Sequence, residues 1–332
     1  MDAADTINKA YRFSVAPMLD CTDRHFRVLM RLISKRALLY SEMVVAQALH
    51  HSNRRDKLLG FDPIEHPIAL QIGGDNPALL ADAARMADDW GYDEINLNVG
   101  CPSPRVKAGN FGACLMADPD HVARCVDAMV QATQRPVTVK HRIGIDDLDS
   151  DALLTAFVDR VAAAGAQRFS VHARKAWLEG LDPKQNRTIP PLQHERVVEL
   201  KQRRPQLIIE LNGGLDTPED CLKALNDVDG AMVGRAAYAH PLRWQTIDAL
   251  IFGEAERSVL ASEVVLGLMP HAQRHLERGG RLWDLCRHLV QLVEGVRGAR
   301  HWRRNLGLLA QRQGADLRVL QEAGIQLQDA GL

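Results

Sequence analysis

The stretch Glu94-Ile-Asn-Leu-Asn-Val-Gly-Cys-Pro102 indicates a strand together with the point at which that strand ends. Apolar residues alternate with polar ones as far as Val99, which is the pattern of a short β-strand. The Gly-Cys-Pro ending does not continue a strand, so Asn98 and Cys101 are predicted to lie at its C-terminal end. In α/β folds the chemically active groups gather at that end of the strands.

Cys101 has an ordinary interpretation as well as a functional one. Most cysteines are small, buried hydrophobic residues without a chemical role. Cys101, however, lies in a turn rich in Gly, Pro and Ser, and Arg105 and Lys107 follow it closely. A nearby cation would stabilise a thiolate, so this position makes Cys101 a candidate for chemistry.

Seven other apolar runs resemble this strand, and helical patterns separate most of them. The eight predicted strands are Phe13–Leu19, Leu38–Val44, Pro67–Gly73, Glu94–Gly100, Val137–Ile143, Arg168–Ala173, Leu207–Gly213 and Gly230–Arg235. Eight strands alternating with helices predict an α/β fold, namely a (β/α)8 or TIM barrel. A doubly wound open sheet is the alternative, although the first strand ends in Ala16-Pro-Met-Leu19 rather than in a glycine-rich phosphate loop.

The last quarter of the chain has a different character. Strand signals stop after Phe252, and residues 258–328 predict several helices, for example Leu285–Val296. We therefore predict a catalytic barrel over residues 1–252 and a C-terminal all-helical domain over residues 253–332. From Arg274 to Arg318 ten arginines stand among only four acidic residues, which favours a polyanionic partner. The alternative is a solvated helical face with intrahelical ion pairs.

Composition excludes several classes of protein. The chain has 332 residues and a formal net charge of -1, and no run approaches the length of a membrane-spanning helix. The acidic start, Met1-Asp-Ala-Ala-Asp5, lacks an apolar signal region, which favours the cytoplasm. The cysteines are scattered without a CxxC pair, so neither a disulfide framework nor a metal site is expected.

Polar residues stand at the predicted strand ends, namely Gln71, Asn98, Lys140, His172, Asn212 and Arg235. A buried Lys140 costs free energy unless a polar or anionic group meets it, and the structural alternative is an ion pair with Glu210 or Glu42. His172 could likewise be an ordinary hydrogen-bonded core residue. Taken together, the set indicates polar groups that converge on one ligand.

Glycines suggest what this ligand carries. Asn212-Gly-Gly214 and Gly234-Arg235 follow the seventh and eighth strands, where barrels usually bind phosphate. A phosphorylated cofactor with a ring at the barrel mouth fits flavin mononucleotide (FMN), with Ala16-Pro-Met18 beneath the ring and Lys140 near it. Cys101 could then be the general acid that protonates the carbon next to the one receiving hydride.

Seven motifs resemble those of the tRNA-dihydrouridine synthases, and the resemblance spans roughly residues 11–315. The motifs are Ala16-Pro-Met-Leu-Asp20, Gln71-Ile-Gly-Gly74, Asn96-Leu-Asn-Val-Gly-Cys-Pro-Ser103, Val139-Lys-His-Arg142, Val171-His-Ala-Arg174, Asn212-Gly-Gly214 and Val233-Gly-Arg235. The stretch from His172 to Pro191 is similar to the A subgroup, which acts on uridine 20 and often 20a of the tRNA D-loop. Cys21 stands where that subgroup has Trp, and Phe26 where it has Cys; neither departure removes a predicted role.

The resemblance implies an FMN-binding barrel followed by a helical tRNA-binding domain. It implies that NADPH reduces FMN, that hydride passes from flavin N5 to C6 of a flipped-out uracil, and that Cys101 protonates C5 to give 5,6-dihydrouridine. The implied FMN contacts are Pro17, Met18, Leu19, Gln71, Lys140, His172, Asn212, Gly213, Gly214, Gly234 and Arg235. The implied substrate contacts are Asn98 at the uracil and, at the tRNA elbow, Lys184, Arg187, Arg300 and Arg303. A monomer is expected.

Three other functions remain open from the residues alone. A barrel flavoenzyme could reduce small unsaturated molecules, but it would not need the Arg-rich tail. A Schiff-base aldolase could use Lys140, which would leave Cys101 idle. An RNA-binding scaffold without enzymatic activity would leave the buried polar strand ends unexplained.

Overall fold

Eight parallel strand positions close into a barrel in the computed structural model, which describes residues 9–332. The strands are β1 Phe13–Val15, β2 Leu38–Tyr40, β3 Val44–Val45, β4 Ile68–Gly73, β5 Glu94–Val99, β6 Val137–Arg142, β7 Arg168–His172, β8 Ile208–Asn212 and β9 Gly230–Val233. The sheet closes because β2 pairs with both β1 and β4, while β3 continues the second position against β4. The predicted TIM barrel is confirmed. The acidic residues 1–5 lie outside the described residues.

Helices follow the strands and cover the barrel. They are α1 Arg24–Ile33, α2 Ala46–His51, α3 Arg55–Leu59, α4 Pro77–Trp90, α5 Pro104–Ala108, α6 Pro119–Val130, α7 Asp151–Ala162, α8 His194–Arg203, α9 Pro218–Ala224, α10 Arg235–Ala239 and α11 Ile247–Phe252. Their ends follow local signals: Asn76 accepts hydrogen bonds from the N–H groups of Ala78 and Leu79 at the start of α4, and Gly91 ends it with φ of 89°. The sequence therefore sets these boundaries locally.

All eight strands are shorter than their apolar runs predict, six of them by one or two residues and the first two by more. The first was predicted over Phe13–Leu19 but ends at Val15, because Pro17 has no N–H for the ladder and the chain then turns through Asp20. The second was predicted over Leu38–Val44 but is interrupted after Tyr40. Both differences fall at the mouth of the barrel, where the chain must leave the sheet.

The strands carry apolar residues towards the helices and polar residues into the barrel. The apolar set packs in the core with the helices and includes Ile95, Leu97, Val99, Val139, Phe169, Val171 and Ile209. Residues that alternate with this set bond to one another across the interior. Asn96 Nδ2 donates to Thr138 Oγ1 (2.9 Å), and Arg168 pairs with both Glu94 and Glu210. The barrel interior is therefore a polar network that leads up to the strand ends.

Five helices follow the barrel: α12 Ala261–Gly267, α13 Met269–Glu277, α14 Leu282–Leu289, α15 Ala299–Ala310 and α16 Leu317–Asp329. α12 packs against α16, and both α12 and α14 pack against α1. The helix predicted over Leu285–Val296 is wrong in its bounds, because Gly295 and Gly298 adopt φ of 70° and 89° after a break at Leu289. The boundary at residues 252 and 253 stays a prediction. Within residues 9–332, no helix is long and apolar enough to cross a membrane.

Candidate active site

The C-terminal ends of the parallel strands meet at one mouth of the barrel and bring the predicted polar residues together. The strand register places Asn98 beside Lys140, and His172 beside Asn212. β9 pairs with β1, so the end of the last strand adjoins the turn that follows the first strand. The candidate site is therefore assembled from seven strand ends, those of β1 and of β4 to β9, which lie far apart in the sequence.

Asn98 holds the turn that carries Cys101. Its Oδ1 accepts hydrogen bonds from the backbone N–H groups of Gly100 (3.1 Å) and Cys101 (3.0 Å). The Cys101 carbonyl accepts a further hydrogen bond from the N–H of Ala113 (2.9 Å), which ties the next loop to the turn. These hydrogen bonds hold the backbone of Cys101 in place. The residue is half-buried, so part of it stays accessible.

The cation closest to this turn is not one of the two that follow Cys101 in the sequence. Arg105 and Lys107 are exposed, and Lys107 pairs with Glu179 (3.0 Å). Arg142 instead donates from Nε to the carbonyl of Gly100 (2.9 Å), directly before the cysteine. The positive charge beside Cys101 therefore comes from a neighbouring strand.

A chain of side-chain amides leads from the barrel interior to the same turn. Gln71 Nε2 donates to Asn96 Oδ1 (2.8 Å), and Gln71 Oε1 accepts from Asn98 Nδ2 (2.8 Å). Gln71 and Asn98 are both buried. Each amide nitrogen keeps one N–H for a ligand, because only one of its two hydrogens is used in the chain.

Lys140 lies inside the barrel against a neutral partner. Its Nζ donates to Asn212 Oδ1 (2.8 Å). The alternative of an ion pair with Glu210 or Glu42 is wrong, because those carboxylates bond to other groups. Burial, and after it the charge of Arg142, lowers the pKa of Lys140 to about 7. An anionic ligand would favour the charged form of this amine.

Three arginines give the mouth positive charge around the imidazole of His172. Burial, and then the charges of Arg142, Lys140 and Arg174, hold the pKa of His172 well below its usual value. Its Nδ1 is buried and has no hydrogen-bond partner among the described residues. Burial and the neighbouring Arg235 also lower the pKa of Arg174. Cations that repel one another around an unpartnered ring nitrogen suit an anionic, hydrogen-bonding ligand.

Glycines shape the rest of the mouth. Gly213 and Gly214 have φ of 104° and 71°, and a Cβ on Gly214 would lie 2.4 Å from Leu192 Cδ1. Met18 Sδ lies 3.5 Å from where a Cβ on Gly234 would be, so the turn after β1 meets the last strand end. Bare backbone, a flanking arginine and a buried amine fit the phosphate and the ring of FMN. In residues 9–332 no cluster of side chains is arranged to hold a metal ion.

The loop after β7 is joined to the site by Arg142 and Asn186, two residues for which the sequence predicted no individual role. Arg142 Nη1 donates to the carbonyl of Asn186 (3.1 Å). Asn186 is fully buried; its Nδ2 donates to the carbonyl of Trp177 (2.9 Å) and its Oδ1 accepts from the Trp177 N–H (2.8 Å). The predicted tRNA contacts Lys184 and Arg187 are exposed on this loop.

The arginines of the C-terminal helices divide into paired and unpaired groups. Four of the ten pair with carboxylates, namely Arg274, Arg281, Arg287 and Arg318. The predicted contact Arg303 is half-buried, with Nη1 3.3 Å from the carbonyl of Val293. Arg300 is exposed, as are Arg297 and Arg304, and none of these three forms an ion pair with another described residue. Ion pairing therefore accounts for only part of this basic region.

The polar residues inside the barrel follow a pattern that is visible in the sequence. Polar residues stand two apart on the same strand: Glu94, Asn96 and Asn98 on β5, and Thr138, Lys140 and Arg142 on β6. Side chains two apart point to the same face of a sheet, so such runs predict a polar ladder inside the barrel. Asn186 had no comparable signal, because its side chain bonds to the backbone of its own loop.

Comparison with known proteins gives a consistent family. The family model described as Dihydrouridine synthase (Dus) matches residues 14–329. Three similar proteins are named tRNA-dihydrouridine(20/20a) synthase. They come from Synechocystis sp. (52% identity; 96% of this chain and 93% of that protein), Shewanella oneidensis (49%; 96% and 95%) and Escherichia coli (48%; 96% and 96%). Among solved structures, inosine 5' monophosphate dehydrogenase from Legionella pneumophila aligns with 69% of this chain and 59% of its own, at 16% identity and a TM-score of 0.47.

Proposed function

The chain belongs to the dihydrouridine synthase family, and we propose that it reduces uridine 20, and also 20a, in the D-loop of tRNA to 5,6-dihydrouridine. It is an oxidoreductase of a flavin-dependent family. The observation that carries the proposal is a cysteine held at a strand end beside a cationic barrel mouth. Because tRNA is the substrate named for the bacterial relatives, we place the enzyme in the cytoplasm. The monomer expected from the sequence stays a prediction.

We propose FMN as the flavin and NADPH as the reductant. When bound, FMN supplies the hydride that adds to C6 of the uracil ring. Pro17, Met18 and Leu19 would lie against the ring, and Gln71 and Lys140 would meet its polar atoms. His172, Asn212, Gly213, Gly214, Gly234 and Arg235 would surround the remainder, including the phosphate. The unpartnered His172 Nδ1 and the neutral partner of Lys140 Nζ support a polar, anionic ligand at this place.

Cys101 is the proposed general acid. Saturating the C5–C6 bond needs a hydride at one carbon and a proton at the other, so the Cys101 thiol gives its proton to C5. Asn98 keeps the turn in place through the N–H groups of Gly100 and Cys101, and its free N–H is available to the uracil. The thiol must therefore hold its proton until the hydride has been transferred.

The tRNA contacts are proposed for two surfaces. Lys184 and Arg187 are exposed on the loop above the mouth, and Arg300 and Arg303 lie on α15 in the C-terminal helices. Contacts between these cations and tRNA phosphates supply affinity that does not depend on the nucleotide sequence of the tRNA. The target base must leave its stack to reach the barrel, which costs a few kcal/mol and least in a loop.

The test is reaction on unmodified tRNA with NADPH, after the visible spectrum of the purified protein has been recorded. Cys101→Ala should lower the rate of dihydrouridine formation by about 100-fold or more. NADPH oxidation by the FMN-loaded variant should continue, because the cysteine acts only on the uracil. Cys114→Ala is the matched control, since Cys114 is also half-buried and lies in the loop that follows Cys101.

Three results would contradict the proposal. A protein that is colourless and takes up no added FMN would exclude the flavin assignment. Full dihydrouridine formation by Cys101→Ala would exclude the proton-donor role. Reduction of small unsaturated molecules without activity on tRNA would favour the alternative of a small-molecule flavoenzyme.

A further inference from the structure

The turn that connects β1 to α1 has an unusual conformation. The N–H groups of Cys21 and Thr22 both donate to the carbonyl of Met18, at 3.1 and 3.0 Å. Asp20, between Met18 and these two donors, has φ of 62°, in the left-handed region that a residue with a side chain seldom adopts. Such a conformation persists only where its surroundings hold it.

Charged side chains hold both backbone groups of Asp20. Its N–H donates to Glu42 Oε1 (2.5 Å), and its carbonyl accepts a hydrogen bond from Arg287 Nη1 (2.8 Å). Glu42 lies just after β2, within the barrel mouth, whereas Arg287 lies on α14. The turn is therefore held from the barrel on one side and from the C-terminal helices on the other.

Arg287 makes a second contact that fixes it in place. Its Nη2 donates to Asp23 Oδ2 (2.5 Å). Asp23 Oδ1 caps the start of α1 by accepting from the N–H groups of His25 (2.9 Å) and Phe26 (3.0 Å), and His288 Nε2 lies 3.0 Å from the same oxygen. One arm of the Arg287 guanidinium thus binds the turn, and the other binds the helix cap.

We propose that Arg287 is a positioning residue for the cofactor, which holds the turn from Met18 to Asp20 in the conformation that contacts FMN. This inference rests on the proposed function, because it takes the turn to lie against FMN. Arg287 does not touch the cofactor and acts through the Asp20 carbonyl. It follows that the C-terminal helices, to which we assign tRNA contacts, also set the shape of the flavin site.

The expected effect is on affinity for FMN. Without the guanidinium, the Asp20 carbonyl loses its charged partner, and the turn adopts other conformations for part of the time. FMN then binds only the molecules whose turn has the competent conformation. The apparent affinity is the intrinsic affinity multiplied by the fraction of such molecules. The loss of one hydrogen bond from a charged donor corresponds to a decrease of roughly tenfold.

The experiment compares Arg287→Met with Arg274→Met in the full-length apoprotein. Arg274 also crosses from the C-terminal helices to a barrel carboxylate, Asp62, but in the described residues it makes no hydrogen bond to the turn. FMN affinity is measured by quenching of FMN fluorescence, and the absorption spectrum of bound FMN reports on its surroundings. We expect roughly tenfold weaker binding and a shifted spectrum for Arg287→Met, and a change within about twofold for Arg274→Met.

Equal FMN affinities and unshifted spectra in the two Met variants would overturn the inference. A wild-type protein that binds no FMN would instead overturn the proposed function, so the two failures are distinguishable. If circular dichroism shows that Arg287→Met does not fold, Arg287→Lys replaces it. The lysine amine keeps the charge but does not reach both the Asp20 carbonyl and Asp23 Oδ2. The affinity of Arg287→Lys for FMN should therefore fall below that of wild type. Wild-type affinity in Arg287→Lys would then count against the inference.

Discussion

Lys140 is an amine inside the barrel whose partner is the neutral amide of Asn212 (2.8 Å). Burial, and then the charge of Arg142, lowers its pKa to about 7, whereas a lysine in an unfolded chain has a pKa of about 10.4. Between these two values the unfolded chain holds a proton that the folded chain lacks, which disfavours folding. This unfavourable contribution is complete at pH values below the folded pKa and disappears as the pH rises above the unfolded one.

Lys140→Met should therefore stabilise the apoprotein at neutral pH. We expect the free energy of unfolding to rise by about 1–3 kcal/mol, because a thioether needs neither a proton nor a polar partner. The gain should shrink as the pH approaches the ordinary pKa of lysine. Urea unfolding at a series of pH values measures it. Added FMN should reverse the order, since the ligand stabilises the protein that binds it more tightly.

Lys107→Met is the matched control, because Lys107 is exposed and pairs with Glu179 at the surface. Its effect should stay within about 0.5 kcal/mol at every pH. If Lys140→Met is no more stable than wild type at neutral pH, the lowered pKa of Lys140 is wrong. A gain that persists at alkaline pH would instead point to better packing of the methionine.

Single residues of the site were easier to identify from the sequence than their partners. Cys101 and Lys140 could be placed at strand ends because strand alternation and the Gly-Cys-Pro ending are local signals. The use of Asn98 Oδ1, the side-chain amide oxygen, to hold the Cys101 turn could not be predicted, since it depends on how the chain leaves the barrel. Arg142 was read as part of a motif, but its partners lie on two other segments of the chain.

At the scale of elements, the loop after β7 is organised by one buried amide. Asn186 Nδ2 donates to the carbonyls of Trp177 (2.9 Å), Leu181 (3.2 Å) and Asp182 (3.3 Å). Its own carbonyl accepts from Arg142 Nη1 (3.1 Å), which joins the loop to the barrel. The loop therefore has a fixed shape without a helix or strand of regular length.

Asn186→Ala should loosen this loop and weaken tRNA binding. Loss of the amide removes the side-chain donor of the Trp177 and Leu181 carbonyls, whereas the Asp182 carbonyl keeps the backbone N–H of residue 186. We expect a cost of about 1–3 kcal/mol for the loop. Ordering the loop that carries Lys184 and Arg187 would then cost free energy when tRNA binds. We expect the affinity for tRNA to fall by roughly tenfold. Filter binding measures tRNA affinity, and limited proteolysis measures exposure of the loop.

Thr188→Ala is the control in the same loop, because the Thr188 hydroxyl is exposed and donates only to nearby carbonyls. It should leave tRNA affinity within about twofold of wild type. Unchanged proteolysis together with unchanged tRNA affinity in Asn186→Ala would exclude the role given to this loop.

Elements with a clear start and stop were predicted more accurately than those without. α4 begins at Pro77 and precedes Gly91, as the Asn-Pro and Gly signals indicate. The helix predicted over Leu285–Val296 has no glycine or proline next to Leu289, where the helix ends although apolar residues continue. The length of the first strand was also overestimated. Its apolar run continues beyond Val15 into a turn that tertiary contacts hold.

At the scale of the whole molecule, the arginines of the C-terminal helices have two roles: some form ion pairs within the protein, and others are exposed to a partner. Arg274 and Arg287 reach from the C-terminal helices to Asp62 and Asp23 on the barrel side, so they help to join the two parts. Arg300 and Arg304 on α15 remain exposed to solvent. The count of ten arginines in the sequence could not separate these two roles, because pairing depends on the packing of α13 and α14 against the barrel.

The exposed arginines of α15 should account for part of the salt dependence of tRNA binding. Each phosphate contact releases bound counterions, so affinity falls with added salt in proportion to the number of contacts. Arg300→Gln combined with Arg304→Gln should make the slope of log affinity against log salt concentration shallower by roughly 1 to 2. Arg318→Gln is the control, since Arg318 is exposed but pairs with Asp316 (2.8 Å). Its slope should match that of wild type. An unchanged slope in the double variant would place the tRNA away from α15, whereas an equal loss in Arg318→Gln would indicate a diffuse attraction rather than a defined surface.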